Sequence, residues 1–133
     1  MPLIDFPAKP KTKVDVAIKY DVQQIVDEER QVTVHCKYDA GNEWDGIRIW
    51  KSTFLYARDS SHKSLLIHTL KISIYPSWTF IEPGKSFYFT LIFSGLPRYC
   101  KSFDLIENIP EPGGFLVENI CRNDVDVYNV DIL

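Results

Sequence analysis

Three cysteines, Cys36, Cys100 and Cys121, and three histidines, His35, His62 and His68, are the residues from which nucleophilic or transition-metal chemistry could be built in this chain. A catalytic thiol or serine needs a base within hydrogen-bond reach and a third group to orient that base. The sequence has no G-x-S-x-G elbow and no Cys–His signature, so no nucleophile–base pair can be named and no catalytic residue is expected. His62 and His68 would stand roughly 20 Å apart on one strand, too far to share an ion. His35 and Cys36 are neighbours, so on a strand they point to opposite faces. No C-x-x-C occurs, and zinc sites use tighter ligand spacing than these cysteines offer. The expectation is no metal site, no cofactor and free thiols, with one disulfide plus a spare thiol as the alternative.

Hard cations want several oxygens from one loop. Asp39, Asn42, Glu43 and Asp45 lie close together, and Asp124 and Asp126 form a second acidic stretch. Their spacing does not follow the alternate-position ligands and closing Glu of an EF-hand, so a solvated loop is expected. Asp104 and Glu107 could do acid–base work only in a shared cleft. The aromatics are the stronger candidates. Trp44 falls in the acidic loop, Trp50 at a strand end on the parity opposite Ile47 and Ile49, and Trp78 after Pro76. Tyr88 and Ile92 share the outer parity of one strand. Exposed aromatics on loops suit protein hot spots or sugar stacking, while buried ones would plug the ends of a core. Trp44, Trp50, Trp78 and Tyr88 are therefore the candidate partner- or ligand-binding residues.

The elements that would position them follow period two, the signature of half-buried strands. Residues 1–12, with three prolines, read as an extended arm or linker, and 13–133 as one domain. Val14, Val16, Ile18 and Tyr20 alternate with polar or small neighbours over Lys13–Tyr20. The segment Gln31–Tyr38 repeats the pattern, with Cys36 inward and His35 outward. Further strands are predicted over Gly46–Trp50, Thr53–Ala57, Leu65–Tyr75, Ser86–Phe93, Ser102–Glu107, Phe115–Ile120 and Val125–Leu133. A helix over 64–72 is the competing reading of Leu65, Leu66, Thr69 and Ile72. Pro83 then Gly84 suits a type II turn. The near-continuous apolar run Ser86–Phe93 reads as a central strand covered on both faces, or as one facing a partner. Eight or nine short strands punctuated by turns suggest an all-β sandwich or barrel.

Composition agrees. A chain of 133 residues fits one domain, large enough to bury roughly two-thirds of its unfolded surface without a metal or disulfide. Aromatics make up 14%, which favours pleated strands over helices. With 15 basic and 18 acidic residues the net charge is -3, and the basic stripe that nucleic acid demands is missing. The only basic cluster, Lys9, Lys11 and Lys13, reads as a solvated arm. No apolar run approaches the roughly 20 residues of a membrane span, and the start is not a signal peptide. As written, the chain is expected in the cytoplasm. A domain excised from a longer chain, with its leader removed, would look the same.

The run Ile81-x-Pro83-Gly84-Lys85-x-Phe87-x-Phe89-x-Leu91-x-Phe93, then Leu96-Pro97, then Phe103-Asp104-Leu105-Ile106-Glu107, resembles a group of immunoglobulin-like β-sandwich domains of uncharacterised function, common in Bacteroidetes-type bacteria. Ile47–Tyr56, with Thr53-Phe54-Leu55, is similar to the same group's earlier strand pair. The resemblance covers roughly residues 14 to 120. It implies an immunoglobulin-like fold, a bacterial source and a place in envelope or secreted proteins; it implies no activity.

A rigid sandwich offers loops and edge strands to a partner. The first functional expectation is therefore a non-catalytic protein–protein interaction module. A carbohydrate-binding module or a structural spacer in a larger protein is the alternative. An exposed edge strand would also allow a homodimer.

Overall fold

The computed structural model describes residues 30–132. The arm at 1–12 and the strand expected over Lys13–Tyr20 lie outside the described residues. Within them the chain is all β, with nine strands and no helix. The strands are β1 (Val32–Asp39), β2 (Asp45–Ile47), β3 (Thr53–Ala57), β4 (Lys63–Leu70), β5 (Thr79–Ile81), β6 (Ser86–Phe93), β7 (Ser102–Glu107), β8 (Leu116–Cys121) and β9 (Val127–Ile132). Seven form one sheet in the order β8-β7-β3-β4-β6-β1-β9, and β2 pairs with β5 in a small second sheet. All pairings are antiparallel except β1 with β9, which is parallel.

The large sheet rolls until its two edges nearly meet. Phe103 of β7, next to one edge, packs edge-on against Tyr128 of β9, the other edge, with ring centroids 5.0 Å apart. The architecture is thus sandwich- or barrel-like. Alternation fills its interior: Val32, Val34 and Cys36 from β1, Thr53, Leu55 and Ala57 from β3, Phe89, Leu91 and Phe93 from β6, and Phe103 and Leu105 from β7 are all buried. Each such aliphatic or aromatic side chain is worth roughly 1.5–3 kcal/mol when removed from water. The outer residues of the same strands are His35, Phe54, Tyr88 and Ile106, more exposed than their inward neighbours. An outer apolar row, Leu116–Ile106–Phe54–Leu65, crosses β8, β7, β3 and β4 in register.

Several boundaries differ from the period-two reading. The strand expected over Leu65–Tyr75 begins earlier and stops at Leu70, because Lys71 takes a left-handed φ of 72° and turns the chain out of the sheet. The helix alternative at 64–72 gives way to this strand. Within β4, Ile67 is a bulge residue: Leu66 faces Phe93 and His68 faces Ile92. The bulge explains why the apolar spacing there mimics a helix, since it breaks strict alternation. Ser86–Phe93 is central, between β4 and β1, but it is not covered on both faces: Phe89, Leu91 and Phe93 are buried, while Tyr88 is exposed. Strand β5 has only three residues, squeezed between the Pro76 break and the Pro83 turn, and was not foreseen. In that turn Gly84 takes φ 73°, and Lys85 N–H reaches Glu82 O at 3.2 Å, as a type II bend requires.

A candidate binding site on the small sheet

The two-stranded sheet lays one face on the core and turns the other outward. Asp45 pairs with Ile81, Gly46 with Phe80 and Ile47 with Thr79. Ile47 and Ile81 are buried. The opposite parity carries Gly46, Phe80 and Trp78, with Trp44 two residues before Gly46 and Arg48 two after. Phe80 is 69% exposed, Trp44 65% and Trp78 48%. Gly46 suits this arrangement, because a Cβ there would stand 3.1 Å from Trp78 Cε3 and 3.5 Å from Phe80 Cε1, and the rings would have to give by a few tenths of an ångström. The missing side chain lets both rings lie close over the backbone.

Arg48 ties this face to the next loop. Its guanidinium lies 3.8 Å from the Trp78 ring centroid, 4.6 Å from Tyr75 and 6.0 Å from Trp50. Trp50 and Tyr75 stack on each other at 3.8 Å. Such contacts contribute about 0.5–2 kcal/mol each, more as the cation loses water. Backbone bonds hold the frame: Tyr75 N–H donates to Ile49 O and Ile49 N–H to Ser73 O, both at 2.9 Å. The arginine donates a hydrogen bond to Pro76 O at 3.2 Å and stands 3.8 Å from the half-exposed Glu111 carboxylate. Trp50 is therefore half-buried beneath this cation rather than projecting alone.

Beside Arg48 a cleft of about 230 Å³ is walled by Tyr38, Trp50, Trp78, Glu107, Glu111 and Phe115. Glu107 ends β7 on its inward parity and is buried. Its two carboxylate oxygens accept the N–H of Trp50 at 2.9 Å and of Phe115 at 3.0 Å. Burial pushes its pKa above the ordinary range, against the pull of those two bonds and of Arg48. It is a strut that fixes two loops on either side of the cleft. Across the way, Tyr38 donates its hydroxyl to Asp45, and that bond, with burial, raises the tyrosine pKa.

Of the residues proposed from sequence, Trp78 lies on the outward face, Trp44 is exposed immediately before β2, Trp50 supports the face, and Tyr88 lies elsewhere. Tyr88 faces Lys37 on the outer surface of the seven-stranded sheet. Phe80, Tyr75 and Arg48 were missed. The signal for Phe80 was alternation across the short Thr79–Ile81 segment. The Arg48 contact depends on a loop return that no local pattern encodes.

The other chemical candidates separate. Asp104 binds Arg58 at 2.9 Å and the Asn119 N–H at 2.7 Å on the outer face, whereas Glu107 points inward, so the two carboxylates do not meet. Asp126 is occupied by arginines. His62 Nε2 contacts Ser64 Oγ at 3.1 Å and Gly95 O at 3.0 Å, and His35 Nδ1 contacts Thr90 Oγ1 at 2.8 Å. Among the described residues, no group of three His, Cys, Asp or Glu side chains could hold a metal ion. All three cysteines are free; Cys36 and Cys100 are buried and Cys121 is exposed. Among those residues no helix is long and apolar enough to cross a membrane.

No family model matches the chain, and comparison with curated proteins and with solved structures returns no match.

Proposed function

We propose that this chain is a non-catalytic protein–protein interaction module of immunoglobulin-like architecture that engages its partner through the outward face of β2 and β5. The observation that carries this reading is the pair Trp78 and Phe80, both exposed and close over Gly46, with the exposed Trp44 immediately before β2, on a small sheet fixed to the core by Ile47 and Ile81. Large rings held on a rigid frame lose little entropy on binding, which is why aromatic side chains dominate interface energetics. The two-stranded sheet is anchored from below, and Arg48, Trp50 and Tyr75 brace Trp78 from the side. A glycan is the second reading, favoured by the same exposed rings, on which sugars stack.

The test is a pull-down with the tagged chain, read by mass spectrometry against Trp44→Ala. The ring of Trp44 is exposed, so its loss should leave stability within about 0.5 kcal/mol while removing the captured protein. Trp50→Ala is the contrasting variant: it removes the stacked support of Tyr75 and Arg48 and should destabilise by about 1–3 kcal/mol. Capture of the same proteins by Trp44→Ala would remove this face as the interface. Quenching of tryptophan fluorescence by a glycan panel, with no captured protein, would favour the glycan reading.

A further inference from the structure

We propose that the partner segment recognised by the β2–β5 face is basic, an extended stretch rich in Lys and Arg. This rests on the reading of that face as a protein interface and adds its chemistry. The charge around the rings is one-sided. The loops 39–45 and 82–85 meet through Ala40 N–H to Lys85 O at 2.9 Å and Gly84 N–H to Gly41 O at 2.8 Å. Together they carry four carboxylates, Asp39, Glu43, Asp45 and Glu82, against a single lysine, Lys85. Glu43 and Glu82 are exposed beside the exposed rings of Trp44 and Phe80. On the other flank Glu111 is half exposed, with its carboxylate 3.8 Å from Arg48.

Among the described residues, the cation laid on the rings, Arg48, is already used. Its side chain is only 13% exposed, and its positive charge is directed into Trp50, Tyr75 and Trp78. It shows what the surface accepts: a guanidinium laid against tryptophan, with a carboxylate near its edge. The outward faces of Trp44 and Phe80, rimmed by Glu43 and Glu82, offer the same combination to a cation from outside. Aromatic faces attract cations through their quadrupole, and the carboxylate rim adds steering that weakens with salt.

The test is an NMR titration of the full chain with randomised octapeptides whose alternate positions are fixed as Lys or Arg, beside neutral and acidic libraries of the same length. The basic library is expected to move the indole signals of Trp44 and Trp78, with binding that weakens at high salt. Glu43→Gln combined with Glu82→Gln is expected to weaken it by about fivefold, with the dispersion of the spectrum unchanged. Equal shifts with the neutral or acidic library would overturn the basic partner while leaving the protein interface standing. No shift with any peptide, together with shifts on adding glycans, would overturn both. Indole signals that move in a Lys9→Gln, Lys11→Gln, Lys13→Gln variant without peptide would assign the face to the chain's own basic stretch, and so also overturn an external partner.

Discussion

Arg122 and Asp126, at the two ends of the turn between β8 and β9, lock together through Nε–Oδ1 at 2.6 Å and Nη2–Oδ2 at 3.1 Å, around a carboxylate only 1% exposed. The same carboxylate accepts the Tyr128 hydroxyl at 2.8 Å and Arg30 Nε at 2.9 Å. Arg122 in turn donates to Pro97 O and Cys100 O. One buried anion thus joins the start of β1, the 97–100 loop and the β8–β9 turn.

Asp126→Asn should therefore be strongly destabilising. It leaves the mostly buried Arg122 without its countercharge, and breaking such a pair costs about 3–5 kcal/mol. Urea denaturation of the two chains measures it. Burial alone would raise the Asp126 pKa, but hydrogen bonds from Arg122, Tyr128 and Arg30 outweigh it and hold the group below its ordinary value. A depressed folded pKa makes the stabilisation complete above the unfolded value, about 3.9, and progressively lost as pH falls through the folded one. The acid limb of the stability curve should flatten in Asp126→Asn.

Glu107 carries the opposite sign. Its folded pKa lies above the unfolded one, about 4.3, so the folded chain holds the proton more tightly. Its contribution to stability declines as pH rises from the unfolded value to the folded one, then stays level. A carboxyl carbon titration should place its midpoint above that of exposed glutamates. Glu107→Gln points an amide N–H₂ at one of two backbone N–H donors, and leaving that donor unmet should cost about 1–3 kcal/mol.

The two crowded glycines should behave differently. A Cβ at Gly114 would lie 2.5 Å from the Glu107 carbonyl oxygen, which is backbone and cannot yield. Gly114→Ala should lower stability by about 1–3 kcal/mol. At Gly46 the obstacles are the side chains of Trp78 and Phe80, partly exposed, which need to give by only a few tenths of an ångström. Gly46→Ala should stay within about 0.5 kcal/mol in thermal denaturation, yet displace the Trp78 indole signal and weaken partner capture.

The thiols should sort by burial. Burial pushes the Cys36 pKa up to about 12, so it remains a protonated, enclosed thiol at mildly alkaline pH. Cys100 is raised too, chiefly by burial. Iodoacetamide should modify Cys121 in the native chain, with Cys36 and Cys100 labelled only after denaturation. Peptide mass spectrometry reads the difference.

Much of the architecture was legible because period two is a local signal. It placed Cys36 inside and His35 outside, and it put Asp126 on the same parity as Tyr128 and Ile132, all three of which are buried. Asp126 and Glu107 were read only as an acidic stretch and as one of a carboxylate pair, and their burial was not read from the sequence. The partners themselves, Arg122 and Arg30 for one and the Trp50 and Phe115 amides for the other, were not legible, since they are set by how the sheet rolls. The end of β4 was missed because Lys71 adopts a left-handed backbone without the glycine or asparagine that usually announces one. Trp44 could be found as an exposed ring in an acidic loop. The joining of Trp50, Trp78 and Tyr75 around Arg48 depends on the Ile49–Ile74 bridge, a single long-range contact with no sequence signature.

The parallel pairing of β1 with β9 has a consequence for how this protein is made. β1 is the first described strand to leave the ribosome and β9 the last, and Val34 faces Tyr128 in their shared register. A nascent chain that has reached Cys121 carries β1 joined, among the described strands, to β6 alone, with the Val127–Ile132 edge still missing and Arg30 and Arg122 awaiting Asp126. β9 must emerge before the seven-stranded sheet is whole, and the closing step joins the described strands that lie farthest apart in sequence. That topology favours slow folding, in the millisecond-to-second range. It also leaves an open strand edge on β1 during synthesis, the interval in which this chain is most exposed to capture by chaperones or by other copies of itself.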